Sequence, residues 1–480
     1  MYADKSLYSY PLFEYEGDIV LKGGVVMILA VIVFAALMDG IDGSIVTVAL
    51  PEMARSFNTD TGTIAWVAVI YLAMMAGLLI TFARIAKNGF IKRILLIGLI
   101  LFTVSSLFCG ISASFHMLLI FRVAQGIGAA MMGAAVPMAC VKYLPASNLG
   151  LGMGVLTLGS SLGFALGPVI GGVITDLISW HWIFLINIPL GIVVIPLLIK
   201  FIPKDDKYHG GFDITGAVLL FSSILLGIFA IERAPYSDSL TMVMLCAVGC
   251  IVFLAAFIAV ELRKEDPLLN LRVFRNWKFN SVLMAYAQSN LVYIGLLYLL
   301  PFYMSICLGF SPSKTGLYIF ISPLLTLLLC IPISMWSDRT ERRAFAVAAC
   351  SVLTIGCLIM VFFSRGTDDI PLIATLVSMG LMWALCGGPM AGRIIENVKD
   401  ESREMGSSIL YEFIYLSIAL GTAVFAMLFT IGSGSGGISV SDLPPDIFLD
   451  GFVFSMIIAT ILCAITVVYS LIVKEPKRSV

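Results

Sequence analysis

Apolar runs of about 20 residues recur from residue 25 to residue 473, separated by short polar or glycine-bearing breaks. That is the length a helix needs to cross the hydrocarbon core of a bilayer. The pattern predicts fourteen helical spans, near 25–50, 62–83, 94–111, 115–139, 148–175, 181–199, 213–231, 239–261, 279–307, 313–336, 344–363, 370–391, 406–431 and 451–473. The breaks near 112 and 180 are short, and Gly110 and the segment "SWHW" supply the turns there. The stretch 213–261 reads as two crossings or as one re-entrant hairpin. No segment between spans is long enough for a soluble domain. The longest, "ELRKEDPLLNLRVFRNWKF", reads as an amphipathic linker that lies as a helix on the membrane surface.

Composition removes the soluble alternative. The chain of 480 residues is 60% hydrophobic and 12% charged, with mean hydropathy +1.03, whereas a soluble protein carries about 25% charged residues. The ten cysteines are scattered, mostly in apolar runs (Cys140, Cys246, Cys250, Cys330, Cys463), without a zinc-binding spacing, so packing explains them. The first 24 residues are acidic and aromatic, and read as a cytoplasmic tail rather than a cleaved signal.

The formal net charge of -1 hides an asymmetry. With both termini cytoplasmic, 24 of the 29 basic residues fall on the inner side, among them Lys87, Lys92, Arg93, Arg272, Arg275 and Lys278. Only Arg55, Arg233, Lys314 and Arg365 fall outside, and Arg122 lies within a span. An odd number of spans would scramble this positive-inside pattern.

Charged residues inside spans are costly and normally face a bundle interior or a wet cavity. In "LMDGIDGSIVTVALP", Asp39 and Asp42 lie three apart and share roughly one helical face. Either one caps a glycine bend, or the pair takes a proton on one side and loses it on the other, since two close carboxylates oppose joint ionisation. Arg122, in "LIFRVAQGIGAAMMGAAVP", needs a carboxylate or carbonyl partner unless it snorkels to the interface. Glu412, flanked by Tyr411 and Tyr415, sits at the interface or offers a negative charge to a cation or proton. Gln288, Asn290, Tyr293, Trp383, Tyr411 and Tyr415 are candidates for a substrate cavity. Gly159, Gly163, Gly167 and Gly171 recur every four residues, with Pro168 and Gly172 beside them. Such a stripe allows close helix approach, and the proline favours a kink. Three histidines, His116, His181 and His209, are widely separated, and no phosphate-binding loop is present, so neither an enzyme nor an ATP-driven pump is indicated.

These motifs resemble the major facilitator superfamily, and within it the fourteen-span drug:proton antiporter branch. "DGSIVTVALP" resembles the branch's first-span signature, with Asp42 at its aspartate, Ser44 at the usual threonine and Thr47 at the usual asparagine. "RVAQGIGAA" is similar to the fourth-span arginine motif, "GSSLGFALGPVIGG" to the antiporter motif, and "WHWIFLINIPLG" to its usual sequel. "PISMWSDRTERR" resembles the cytoplasmic gate motif, with Asp338, Arg339, Arg342 and Arg343 retained. The first copy departs from the pattern. "AKNGFIKR" puts Lys87 at the aspartate position and Phe90 at the glycine position, keeping Lys92 and Arg93. In relatives that aspartate helps latch the inner side through charge pairing and a helix N-terminus, so this latch is expected to be built differently. Asp39 lies outside the motif.

The resemblance implies an all-α polytopic membrane protein made of two six-helix bundles, residues 25–200 and 279–473. Two inserted helices (201–262), a linker (263–278) and cytoplasmic tails (1–24 and 474–480) complete it. It implies alternating access around a central site. The expected activity is export of lipophilic or cationic drugs, dyes and biocides across the cytoplasmic membrane of a prokaryote. Asp42 would couple the proton, Arg122 tune it, and Asp39 and Glu412 assist. A narrow-substrate transporter of a metabolite, amino acid or lipid is the alternative, and a membrane sensor that has lost transport is a third. The expected partners are the lipid bilayer, protons and the substrate, with no nucleic acid, no metal and no cofactor beyond the proton gradient, in a monomer.

Overall fold

The computed structural model describes residues 18–144, 149–205, 213–236, 240–264, 267–269, 271–337, 340, 342–396 and 403–472. Among them there are helices and turns and no strand. The helices are α1 (Asp18–Ser56), α2 (Thr61–Ile85), α3 (Ile91–Gly110), α4 (Phe115–Tyr143), α5 (Leu149–Leu177), α6 (Trp182–Leu185), α7 (Asn187–Phe201), α8 (Ile214–Arg233) and α9 (Leu240–Glu261). They continue as α10 (Trp277–Ile306), α11 (Pro312–Ile319), α12 (Ile321–Ser337), α13 (Arg342–Val361), α14 (Asp369–Glu396), α15 (Arg403–Ser433) and α16 (Pro445–Ile472).

Several starts are written locally. Asp60, Ser114, Asp213 and Asn276 cap α2, α4, α8 and α10 by accepting from backbone N–H groups of the first turn. Ser311 does the same for α11, with Pro312 following it where the proline costs no hydrogen bond.

Among the described residues, thirteen helical segments are long and apolar enough to span a membrane. One of them, Thr61–Gly110, has 50 residues, about 75 Å of helix against a hydrocarbon core of about 30 Å. It turns back at Gly89, whose φ of 109° suits glycine, so α2 and α3 are two crossings. With α6–α7 and α11–α12 each forming one interrupted crossing, the chain makes fourteen. The stretch 213–261 is two full helices, not a re-entrant hairpin. The linker differs from expectation. Its described residues form only a 3-10 turn, Leu271–Arg275, after Pro267, and Leu269 N–H bonds to Glu261 Oε2 rather than to a helical neighbour.

α1 to α7 pack into one bundle and α10 to α16 into the other. α8 and α9 pair with each other, and α8 leans on α2 and α15. α9 leaves large apolar side chains such as Leu245 (69% exposed) and Ile251 (67%) uncovered, as a lipid-facing helix does. The helix ends divide between two faces. The one bearing the start of α1 also carries Lys87, Lys92, Arg93, Lys142, Lys200 and Arg343, and is termed the basic face.

Candidate functional site

Glycines decide which side chains meet at the centre of the first bundle. Gly159, Gly163, Gly167 and Gly171 of α5 lie against the backbone and small side chains of α1, while Gly40 of α1 abuts the Ser160 carbonyl. A side chain at any of them would meet its neighbour, so the stripe is a helix-packing surface. On α4, Gly126 lies against the backbone of Tyr71 and Gly128 against Phe102 and Gly98. These two contacts draw α2 and α3 onto the segment that carries Arg122 and Gln125.

The product is a buried polar network. Arg122 donates from Nη1 to Asp42 Oδ2 at 2.9 Å and to Gln125 Oε1 at 2.8 Å, and from Nε to the Val67 carbonyl at 2.8 Å. Its guanidinium lies 4.1 Å from the Tyr71 ring centre, a cation–π contact. Asp42 Oδ1 accepts from Gln125 Nε2 at 2.9 Å and from Asn187 Nδ2 at 3.3 Å. Ser106 Oγ accepts from the same two amides and donates to the Phe102 carbonyl. Both side chains of the Asp42–Arg122 pair are essentially unexposed (0% and 1%). Desolvating two charges is expensive, and only a pair this fully hydrogen-bonded offsets it. Arg122 therefore does not snorkel.

Asp42 and Arg122 form part of the wall of a cavity between the bundles. Ser44, Thr47, Tyr71, Phe164 and Pro168 line it from one bundle and Tyr293, Tyr298, Ile319, Pro323, Ile418 and Thr422 from the other. Thr47 and Ser44 bond back to their own helix. Asp39 is half-buried beside the hydroxyls of Tyr71 and, across the bundle interface, Tyr415. The face opposite the basic one is closed. There Tyr298 donates to the Thr61 carbonyl, Arg55 to Ser305, Ser439 to Asn58, and Val440 N–H to the Thr59 carbonyl. Pro168 and Gly172 meet Pro312 and Gly316 with no room for a side chain. The antiporter segment thus has two surfaces, one on α1 and one on the other bundle.

The remaining sequence candidates disperse. Of the cavity set, Tyr293 lines the cavity. Gln288 donates instead to the Leu462 carbonyl of α16, and Asn290 to the Tyr286 carbonyl of its own helix. Trp383 stacks edge-on against Tyr286 and Tyr293, behind the wall. Glu412 is buried, off the cavity lining, and neither oxygen has a hydrogen-bond partner among the described residues. The side chain of Tyr411 lies outside the described residues, as do Asp338, Arg339 and the side chain of Arg342. Arg343 donates to the last carbonyls of α16, Ser470 and Leu471. Lys87 is exposed. Asp205, from the segment after α7, accepts from the Lys92 and Arg93 N–H groups at 2.7 and 3.1 Å, and so holds the N-terminus of α3. Lys92 Nζ reaches the Ile199 and Ile202 carbonyls. Asn187, Ser106 and Asp205 were not singled out by sequence. Asn187 is the only one with a clear signal, a lone amide in the apolar run "WIFLINIPLG".

Two helical bundles around a central cavity, with an ion pair in the cavity wall, define a multi-pass membrane transporter rather than an enzyme. The family model of the Major Facilitator Superfamily matches residues 32–422, and the chain belongs to that superfamily. It is 28% identical to the riboflavin transporter RibZ of Clostridioides difficile, over 84% of this chain and 88% of the relative. It is also 28% identical to the putative multidrug resistance protein MdtD of Escherichia coli, over 86% and 88%, and 26% identical to a multidrug resistance protein B homolog of Mycobacterium tuberculosis, over 85% and 76%. The fold is shared with a bacterial homolog of the human lysosomal transporter Spinster in an inward-facing, unoccupied conformation. That match has a TM-score of 0.69 and 15% identity, and covers 94% of this chain and 97% of that one.

Proposed function

We propose that this transporter is a proton-coupled antiporter that exports lipophilic or cationic compounds across the cytoplasmic membrane by alternating access. The basic face is then cytoplasmic, with both termini on that side, and the contacts on the opposite face keep the cavity closed to the outside. The two bundles, 25–200 and 279–473, rock about the cavity as the halves of a monomer, and the inserted helices 201–262 ride outside them, against their seam.

The carrying observation is the Asp42–Arg122 pair in the wall of an otherwise apolar, tyrosine-lined cavity. A proton on Asp42 neutralises the carboxylate and frees Arg122 from it. A cationic substrate in the cavity acts on the same local field. Proton and substrate therefore compete through one pair with no covalent step, and a conformational change that carries one outward returns the other. Asp39, one turn nearer the basic face and bridged to Tyr415 of the other bundle, is the relay to the cytoplasm. Relatives named as multidrug resistance proteins support the substrate class. A relative named as a riboflavin transporter supports the narrow-substrate reading instead.

The test is transport in proteoliposomes under an imposed pH gradient, with a panel of lipophilic cations set beside flavins and amino acids. Gradient-driven movement of several unrelated cations is expected, lost in Asp42→Asn with matched expression. Movement of a single metabolite favours the narrow transporter. Full gradient-driven exchange by Asp42→Asn would transfer the coupling role to Asp39 or Glu412.

A further inference from the structure

The inserted helices lie outside both bundles, yet the end of α8 away from the basic face is wedged where the bundles meet. Glu232, next to last in α8, is 3% exposed, and its Oε1 has no hydrogen-bond partner among the described residues. Beside it Asp60, the cap of α2, accepts from Thr63 N–H, Thr63 Oγ1 and, at 2.9 Å, Tyr236 Oη. Tyr298 of α10 donates to the neighbouring Thr61 carbonyl. Gly62 is packed between Tyr236 Oη and Thr430 of α15. One point therefore joins both bundles to the inserted pair.

The charged or titratable groups facing Glu232 are Asp60 from α2, Tyr298 from α10, and Arg233 and Tyr236 from its own segment. The Arg233 guanidinium rests over the rings of Phe229 and Tyr236. α15 presents Thr430 there, and the described start of α9 has no titratable residue.

We propose that Glu232 is a proton-binding site on the inserted pair, and that a proton on it holds the face opposite the basic one closed. An ionised carboxylate shut in with an unpartnered oxygen and a second carboxylate nearby is costly. A proton removes both penalties, whereas opening admits water and removes the need for it. Closing then takes up a proton and opening releases it. The part this plays in export rests on the antiport reading; the protonation itself does not.

The experiment is a distance measurement between spin labels at Ser56 and Asp442, both exposed on this face, in lipid nanodiscs without substrate or gradient. Wild type is expected to shift from a short distance in acid to a longer population in alkali, and Glu232→Gln to stay short throughout. Asp60→Asn, which keeps the helix cap, is expected to shrink the shift. A wild type without a shift, or Glu232→Gln shifting like wild type, overturns the proposal. If Glu232→Gln fails to reach the membrane, an undiminished shift in Asp60→Asn overturns it instead. Failed export with an intact pH-dependent shift would remove the antiport reading and leave this site standing.

Discussion

The two bundles treat the buried carboxylates Asp42 and Glu412 in opposite ways. In the first, Asp42, Arg122, Gln125, Asn187 and Ser106 bond to one another, and Asn187 Oδ1 is the single atom of that network left over. In the second, both oxygens of Glu412, the Trp383 Nε1 and the Asn290 Oδ1 are buried without partners among the described residues. An unmade hydrogen bond at a buried group costs about 1–3 kcal/mol, and more for a charge. The first bundle thus holds a preformed ion-pair network, and the second a buried carboxylate without a partner among the described residues. A charge inside a span is not by itself a site. Whether it is paired decides what it is for.

The hardest way to break that comparison is to unpair the satisfied side. Arg122→Ala strips Asp42 of its counter-charge and leaves a carboxylate buried, so a loss of about 3–5 kcal/mol is expected, seen as early thermal unfolding in detergent. The double variant Asp42→Asn/Arg122→Gln removes both charges and should recover most of that stability while export stays absent. Unfolding as early as in Arg122→Ala would show that the charges are not what the wall depends on.

Next in size is the seam between the bundles. Gly172→Leu would drive a side chain into the Pro312 carbonyl and Gly316, with an overpacking cost of about 1–3 kcal/mol. The α1–α5 surface is built from the other glycines, so the fold should survive and only the closed opposite face should be lost. Labelling of a cysteine placed at Thr47 by a membrane-impermeant reagent added to that face should rise; labelling equal to that of the parent cysteine variant would remove the seam from the gate.

The unsatisfied side should respond in the other direction. Glu412→Gln deletes a charge that has no partner, so stability should be unchanged or higher by up to about 1 kcal/mol. Glu412 lies off the cavity lining, so a substrate effect needs a conformation that opens the cavity to it. In that case affinity for cations should fall about tenfold, equivalent to about 1.4 kcal/mol, with neutral substrates unaffected. Destabilisation like that of Arg122→Ala would mean that Glu412 has a structural partner, and the contrast between bundles would fail.

Much of this was open to the sequence because the bilayer imposes one length on every span, so all fourteen crossings could be placed within a few residues. Asp42 and Arg122 could be named because charges are rare in such runs, and cost alone called for a carboxylate or carbonyl partner for Arg122 without saying which. Direction was harder to read. α10 is apolar and buried on nearly every side, so periodicity assigns it no face, and Gln288 turned toward α16 rather than the cavity. Asn187 reaches Asp42 from the first turn of α7, after the short α6, and a break that depends on packing leaves no sequence periodicity. Asp205 was hidden for a related reason: its partner is a helix N-terminus 113 residues earlier, and backbone N–H groups carry no sequence signal.

The smallest effect, and the finest test of how the halves differ, is at Lys87. The second gate copy keeps its aspartate in the sequence at Asp338, whereas the first has a lysine there. The N-terminus of α3 is not left bare for that reason. Asp205 occupies it, bonding two backbone N–H groups and lying 3.6 Å from Arg93 Nε. That contact ties α3 to the end of α7, so the acid at this helix end stiffens a single bundle. A carboxylate near a helix N-terminus is worth about 0.3–1 kcal/mol at an exposed site, and Asp205 already supplies most of it. Lys87→Asp alone should therefore change the balance of conformations only slightly, and less at high salt. In an Asp205→Asn background the same substitution should matter more, because the helix end is then free to take the new charge. Distances between labels on the basic face, measured for both single variants and the double, give the coupling directly. Strictly additive shifts would show that Asp205 is not the stand-in for the missing aspartate.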